Sequence, residues 1–495
     1  MTARHNQIFI VSILLIITVA IVLRWHHIDQ RSLWYDELVT ANNSNGTLEE
    51  TLDKTRSNSS APVLHPIILQ VVERYSDGPL AVRLPSMLAG VLAVVVLIVA
   101  ARRAIGMRGA VFAGLIIAMS ASQIHYSQEV REYSLSVLAA ALMLLVYIQY
   151  ARPENLGWSL LILCVLLLVA PFVQYGLVLF GLSIVGAMIL VRLAQGANLR
   201  RVVTEAGAAG LSLGAGGLGS LFLTLRHQMY LLGLQADRGF YYDPGKDHNF
   251  LIFIANQTVA LFSFVYLGPL LLGLIIPALI FYGWDVLKNR TWEPIFIVGL
   301  MSLVVAISMA LLRLYPYGGM RQCIYLAPVL ILVAAAALDR FAQQFSASRQ
   351  NVVLVAMVMT ILLAAKIDLL DSRTNPYSVI EDIKPVLEEL TRSIQPDDQV
   401  YLYYAAKPAF EFYKFRRGHL IYGRSHHADP GNYVTELQKG MDRDTARLWL
   451  VFTHVVNNED SVILHGMEQD WSIEQTVDAK GAALYLAQRK VGTAK

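Results

Sequence analysis

Apolar residues in this chain come in unbroken runs divided by short polar segments, rather than alternating with polar ones. The runs cover 8–23, 84–101, 109–126, 133–150, 158–170, 175–193, 202–225, 263–284, 295–312, 323–338 and 351–369. A helix needs about 20 apolar residues to cross a hydrocarbon layer of about 30 Å. The pattern therefore predicts about eleven transmembrane helices. The run 158–170 is short and is expected to extend at both ends. The stretch "PVLHPIILQVVERY" (62–75) is apolar but too short to span, and reads as an interfacial or re-entrant helix. Beyond 371 the pattern changes. Residues 380–393 have helical periodicity, while "DDQVYLYY", "RLWLVFTHV" and "ALYLAQRK" read as strands. The expected architecture is a mainly α polytopic domain over 1–370, followed by a small α/β domain over 371–495.

Composition agrees. The chain is 55% hydrophobic and 16% charged, against about 25% charged in soluble domains, and its mean hydropathy is +0.49. The net charge of +3 says less than the placement of charge, and no nucleic-acid partner is expected. Cys164 and Cys323 fall in or beside apolar runs, so neither a disulfide framework nor a cysteine metal site is indicated. The first run is followed by Arg24-Trp25-His26-His27 rather than a small-residue cleavage site, and reads as an uncleaved span.

Lysine and arginine in short loops set orientation. With the N-terminus inside, the inner loops hold Arg102, Arg103 and Arg108; Arg152; Arg192, Arg200 and Arg201; Lys288 and Arg290; Arg340 and Arg349. Every inner loop is then basic, and the C-terminal domain lies outside. So do a long loop over 24–83 and a polar loop over 226–250.

Three arginines break this rule. Arg83 in "VRLPS", Arg131 in "SQEVREYS" and Arg321 in "YPYGGMRQ" stand on the outer side, each just before an inward-running helix. A helix N-terminus is itself partly positive, so an arginine there is disfavoured unless an anion sits between them. Three at one depth point to a shared anion, and a guanidinium grips phosphate bidentately. Unrelated contacts to lipid headgroups are the plainer reading of any one of them.

The outer face also carries acids. Asp36 and Glu37 in "RSLWYDELVTA" share it with Glu129 and Glu132. Carboxylates beside an anion site suit group transfer, an acid activating a hydroxyl while arginines stabilise a departing phosphate. Taken alone, "WYDE" also fits an aromatic interfacial belt with a helix-start acid. His65 in "LHPIIL" is a hydrogen-bonding candidate, and Tyr133, Tyr315 and Tyr317 are equally ligands or interface anchors. The glycine-rich run 210–220 lies inside a span and reads as a close-packing surface. There is no Walker loop, dinucleotide fingerprint or H-E-x-x-H motif, and neither a metal nor a cofactor is expected.

The order of these elements resembles a known family. A first span, "WYDEL" in an outer loop, "LHPII", "RLPS" opening the next span and "SQEVREYSL" after the third are similar to the polytopic GT-C glycosyltransferases that use polyprenyl-phosphate sugars. The nearest group looks like the protein O-mannosyltransferases, the aminoarabinose lipid A transferases and their bacterial relatives. The motif likeness covers roughly the first 150 residues, and "YPYGGMRQCIYLAPVL" is similar to a late element of bacterial members. Members often read His-Pro-Pro-Leu where this chain has "HPII". Features of the aminoarabinose enzymes are absent, so that substrate is not favoured.

The resemblance implies that Asp36 is the general base and that Glu37, with His65, positions the acceptor. Arg83, Arg131 and Tyr133 would face the donor phosphate, joined by Arg321 from the charge argument. The implied partners are a polyprenyl-phosphate sugar and membrane lipid, at the outer face of a bacterial inner membrane. The implied reaction is inverting transfer to a hydroxyl of a cell-envelope acceptor. Two rivals stay open: an outer-face polysaccharide polymerase or ligase using a lipid-diphosphate oligosaccharide, and a secondary transporter of an anionic substrate. The transporter would place charges near the midplane and often show repeated halves.

Overall fold

A computed structural model describes residues 3–76, 78–152, 156–233, 239–247, 249–289, 291, 293–371, 375–426, 429, 431–442 and 444–490. Arg290, expected in an inner loop, and part of the polar loop 226–250 lie outside them. The chain divides into two compact units. One comprises Met1–His26, Leu48–Ile68 and Arg83–Pro376; the other comprises His27–Thr47, Leu69–Val82 and Tyr377–Lys495.

The first unit is a helical bundle. The first eight helices of the chain are α1 (Ala3–Trp25), α2 (Tyr35–Ser44), α3 (Leu48–Asn58), α4 (Leu64–Glu73), α5 (Pro79–Ala104), α6 (Met107–Met119), α7 (Ala121–Ser127) and α8 (Tyr133–Tyr150). Among the described residues, nine helices are long and apolar enough to cross a membrane. Two of the eleven expected runs differ from this. The third run is the pair α6 and α7, bent by 58°, and the fifth is the shorter helix Gly157–Val173. Helix Arg321–Ala342 is the bundle's centre, with 89% of its apolar window buried.

The bend between α6 and α7 has a visible cause. Ser120 is extended (φ −60°, ψ 123°), which strips the last carbonyls of α6 of their helical partners. Arg24, buried at the end of α1, supplies donors instead. It donates to the carbonyls of Ala118 (2.9 Å) and Ile117 (3.0 Å) and to Ser127 Oγ (3.1 Å). Gly90 of α5 lets α7 approach, since a Cβ there would lie 2.1 Å from Ser127 Oγ. The glycine-rich run behaves as expected too. A Cβ on Gly216 would lie 2.1 Å from the Leu168 carbonyl, so helix Leu199–Ser220 can press closely on Leu156–Val173.

The sequence pattern did not anticipate helix Phe250–Val265. Its two halves touch segments at one end of the bundle. Thr258 Oγ1 lies 2.9 Å from Tyr317 Oη, and Phe264 O accepts from Ser122 Oγ at 2.7 Å. Elsewhere in the bundle, the expected inner-loop arginines meet acids. Arg192 and Arg201 share Glu205 (3.3 and 2.8 Å), Arg108 pairs with Asp339 (2.9 Å), and Arg340 pairs with Asp285 (2.9 Å).

The second unit contains a five-stranded sheet, with β1 (Gln399–Leu402), β2 (His419–Tyr422), β3 (Arg447–Thr453), β4 (Trp471–Ala479) and β5 (Ala482–Arg489) in the order β2-β1-β3-β5-β4. β1 is parallel to both neighbours, while β5 is antiparallel to β3 and β4. The three apolar strands expected from sequence are β1, β3 and β5. The other two are edge strands with mostly exposed or half-buried side chains, so they lack a continuous apolar signal. The helix expected over 380–393 is Lys384–Ser393.

Part of the long first loop packs in this unit. Leu33 N donates to Tyr413 Oη (3.2 Å), and Asn42 Nδ2 to Pro408 O (2.8 Å). Ser32 Oγ donates to Asp382 Oδ1 and accepts from Lys384 N (3.2 Å). The Asn42 bond ties α2 to the helix Lys407–Phe412, and the others fix the segment just before α2.

Candidate functional site

In the helical unit, the turn between α7 and α8 carries Arg131 and Glu132, both buried. Tyr133 is the first residue of α8. Its ring has the Arg131 guanidinium carbon 5.5 Å from its centroid and that of Arg321 5.8 Å away. Arg131 Nη2 also donates to Tyr133 Oη at 3.4 Å. One ring thus gathers two guanidiniums, each within cation–π range. Two like charges so close repel, and Glu132 and Glu129 set negative charge beside the same ring. Arg131 Nε is paired to Glu132 Oε2 at 3.2 Å. Tyr126 packs on the same ring in a T-shaped contact at 5.1 Å.

A hydrogen-bonded chain links this cluster to α4 and α5. Ser86 Oγ donates to the Arg131 carbonyl (3.0 Å) and lies 3.4 Å from His65 Nε2. The serine proton is used on Arg131, so His65 carries its own proton on Nε2 and donates. His65 is 2% exposed. Burial, followed by the charge of Arg131, pulls its imidazole down to about 3, so it is neutral at physiological pH. Its Nδ1 has no hydrogen-bond partner among the described residues. Arg83 is buried three residues before Ser86 on α5, a spacing that puts both on one helix face.

In the sheet unit, the acids open α2. Trp34 is the N-cap, Asp36 the second helical residue and Glu37 the third. Glu37 is buried, and its Oε2 accepts from Trp34 N at 3.3 Å, the carboxylate half of a capping box. Asp36 is half-buried. Tyr35 N donates to Glu381 Oε2 (2.9 Å), and the other oxygen of Glu381 pairs with His454 Nδ1. The Tyr35 ring stacks on His454 at 4.6 Å and 14°. Burial, then Tyr404, Asp36 and Glu381, push the Tyr35 phenol up to about 12, so it stays protonated.

Of the residues singled out in the sequence, Arg131, Tyr133 and Arg321 converge in the helical unit. His65 joins them through Ser86, with Arg83 one turn from that serine. Asp36 and Glu37 stand side by side in the sheet unit. The sequence reading passed over Ser86, Tyr126, Glu381 and His454. Ser86 closes the quoted "RLPS", where a serine one turn after a buried arginine is a readable signal; Glu381 and His454 carry none. Among the described residues, no three His, Cys, Asp or Glu side chains group as a metal site.

Residues 60–214 match the dolichyl-phosphate-mannose-protein mannosyltransferase family. That segment holds His65, Arg83, Ser86, Arg131 and Tyr133. The fold is similar to ArnT from Cupriavidus metallidurans in the apo state, at TM-score 0.58, 14% identity and 98% coverage of both chains. It is also similar to that protein bound to undecaprenyl phosphate, at TM-score 0.57, 16% identity and 96% and 97% coverage. A third likeness is to the archaeal oligosaccharyltransferase AglB from Archaeoglobus fulgidus, in complex with an inhibitory peptide and a dolichol-phosphate. There the TM-score is 0.56 and identity 12%, covering 100% of this chain and 75% of that one. Comparison with curated protein sequences gave no match. The chain has the GT-C fold, and the family match over the site-bearing segment indicates a glycosyltransferase.

Proposed function

We propose that the protein transfers a monosaccharide from a polyprenyl phosphate to a hydroxyl of a cell-envelope acceptor, at the outer face of a bacterial inner membrane. The observation that carries this reading is the convergence of Arg131 and Arg321 on one tyrosine ring. Two guanidiniums gathered at one ring present planar forks that suit the bidentate grip of a phosphate.

The donor phosphodiester carries one negative charge. Its phosphate lies against Arg131 and Arg321, with Arg83 as the third cation. The acceptor oxygen attacks the anomeric carbon as the bond from that carbon to the phosphate oxygen breaks. The electron pair leaves with the phosphate, giving a polyprenyl phosphate with two negative charges. The added charge develops at the arginines, so they bind the transition state more tightly than the substrate. The acceptor proton passes to Asp36 and then to water. A weak carboxylate base is adequate because the hydroxyl becomes acidic only as the carbon–oxygen bond forms. One displacement inverts the anomeric centre. His65, neutral and donating to Ser86, orients the turn that presents Arg131.

The test is mass spectrometry of the purified protein for co-purifying lipid, followed by competition between undecaprenyl phosphate and undecaprenyl diphosphate. Tighter binding of the monophosphate supports the reading. Preference for the diphosphate would favour a polymerase or ligase that uses lipid-diphosphate oligosaccharides.

A further inference from the structure

The glycosyl-transfer reading leaves open what fixes the base. We propose that Glu381 and His454 of the sheet unit are positioning residues for Asp36, an inference that rests on that reading. Neither residue belongs to the first loop, yet both grip the residue immediately before the base.

Glu381 is buried, and its two oxygens are divided between two tasks. Oε2 accepts from the Tyr35 backbone N–H at 2.9 Å, while Oε1 takes His454 Nδ1. His454 therefore carries its proton on Nδ1 and turns a ring face to Tyr35, where the two rings lie nearly parallel. One carboxylate thus fixes the backbone of Tyr35 and also the imidazole that supports its side chain.

His454 sits directly after β3 with φ 51°, a left-handed conformation that a non-glycine residue adopts only at a cost. Its N–H is tied to Gly481 O at 3.2 Å, at the turn between β4 and β5. The conformation is thereby held by the sheet itself. Residues just upstream are fixed as well, Ser32 by Asp382 and Lys384, and Leu33 by Tyr413. With Tyr35 fixed, helix geometry places Asp36 by one rotation of about 100° and one rise of about 1.5 Å. A reacting group displaced by about 1 Å can lose about 10²-fold in rate. The sheet unit thus sets turnover through a residue of the loop, without touching the donor.

The test uses the full chain in membranes that supply the acceptor. Undecaprenyl-phosphate mannose, glucose and aminoarabinose serve as the donor panel. Asp36→Asn is the reference, compared with Glu381→Ala, Glu381→Gln, His454→Ala, His454→Phe and the double variant Glu381→Ala/Asp36→Asn. Glu381→Ala and His454→Ala are expected to lower kcat about ten- to a hundredfold with undecaprenyl phosphate binding unchanged. His454→Phe keeps the stack and should recover part of the loss, as should Glu381→Gln, which still accepts from Tyr35. Hydrogen exchange should rise in the peptide 33–40 and not in β1 or β3. The double variant should be no slower than Asp36→Asn, because the positioning residues act only through that carboxylate.

Normal turnover of Glu381→Ala and His454→Ala beside an inactive Asp36→Asn overturns the proposal. So does a loss that multiplies with that of Asp36→Asn. If β1 and β3 also exchange faster in Glu381→Ala, the comparison passes to Glu381→Gln and His454→Phe. A fully active Asp36→Asn instead removes Asp36 as the base; unchanged exchange over 33–40 then overturns the clasp on its own.

Discussion

Arg131 and Arg321 face the same tyrosine, but their substitution should not have the same consequences. Arg131 is buried and paired with the buried Glu132; breaking such a pair from one side costs about 3–5 kcal/mol, because a charge is left uncompensated. Arg131→Ala should therefore lose both donor binding and thermal stability. Arg321 is half-buried and lies on the Tyr133 ring; that cation–π contact contributes about 0.5–1 kcal/mol to stability. Each charge-assisted bond to phosphate contributes about 1.5–3 kcal/mol, or about ten- to 150-fold in affinity at 1.4 kcal/mol per tenfold. Arg321→Ala should thus weaken undecaprenyl phosphate binding by that factor and, because Arg321 is half-buried rather than buried, cost less stability than Arg131→Ala. Adding Glu132→Gln to Arg131→Ala removes the orphaned charge and should restore stability, but not binding. Lysine at either position should recover only part of the affinity, since the planar fork is lost. Titration calorimetry and thermal unfolding on the same preparations separate the two effects. Wild-type affinity in both alanine variants would refute the shared phosphate site, and so would recovery of binding by Glu132→Gln.

What was legible in the sequence follows from what each signal depends on. Membrane helices announce themselves by apolar length alone, so the nine long spans were among the eleven runs drawn from sequence, whereas the bend at Ser120 carries no apolar signal. Helix Phe250–Val265 was missed: the run drawn over 263–284 takes in only its last residues, because Tyr266-Leu267-Gly268 is too short a break to register in an apolar stretch. The arginines were readable because they oppose the charge rule that orients the other loops. Their convergence on Tyr133 was not, since Arg321 is far from Arg131 in sequence and only the central helix Arg321–Ala342 returns it. The contact of His65 with Ser86, and through it with the turn bearing Arg131, was not legible, because Ser86 lies on another helix. Nothing in the string "FTHVV" distinguishes His454 from any polar residue after a strand. Its significance comes from a left-handed backbone and a carboxylate more than seventy positions away.

Asp36→Asn should lower turnover by about 10²–10⁴-fold with donor binding intact, measured as product formation against undecaprenyl phosphate affinity; normal turnover would remove it as the base. Glu37→Gln keeps an oxygen for the Trp34 N–H and loses only helix-start charge, worth about 0.3–1 kcal/mol, so its effect should fall on acceptor affinity. A reporter fused after Lys495 should read as external, because the expected inner loops are basic and the eleven crossings expected from sequence are an odd number; cytoplasmic activity would mean a span has been miscounted. The last expectation concerns pH. The His65 imidazole lies near 3 in the folded chain, against 6.5 when unfolded, so between those values the unfolded chain binds the extra proton. Stability from this group is then fully present above about pH 6.5 and is lost as pH falls toward 3. At pH 5 the two values give a loss of about 2 kcal/mol relative to neutral pH. His65→Gln, which can still donate to Ser86 but does not titrate, should remove that share of the acid sensitivity. Denaturant unfolding at pH 7.5 and 5 in detergent measures it, and an equal acid loss in wild type and variant would show that His65 is not the neutral, buried link between Ser86 and the Arg131 turn.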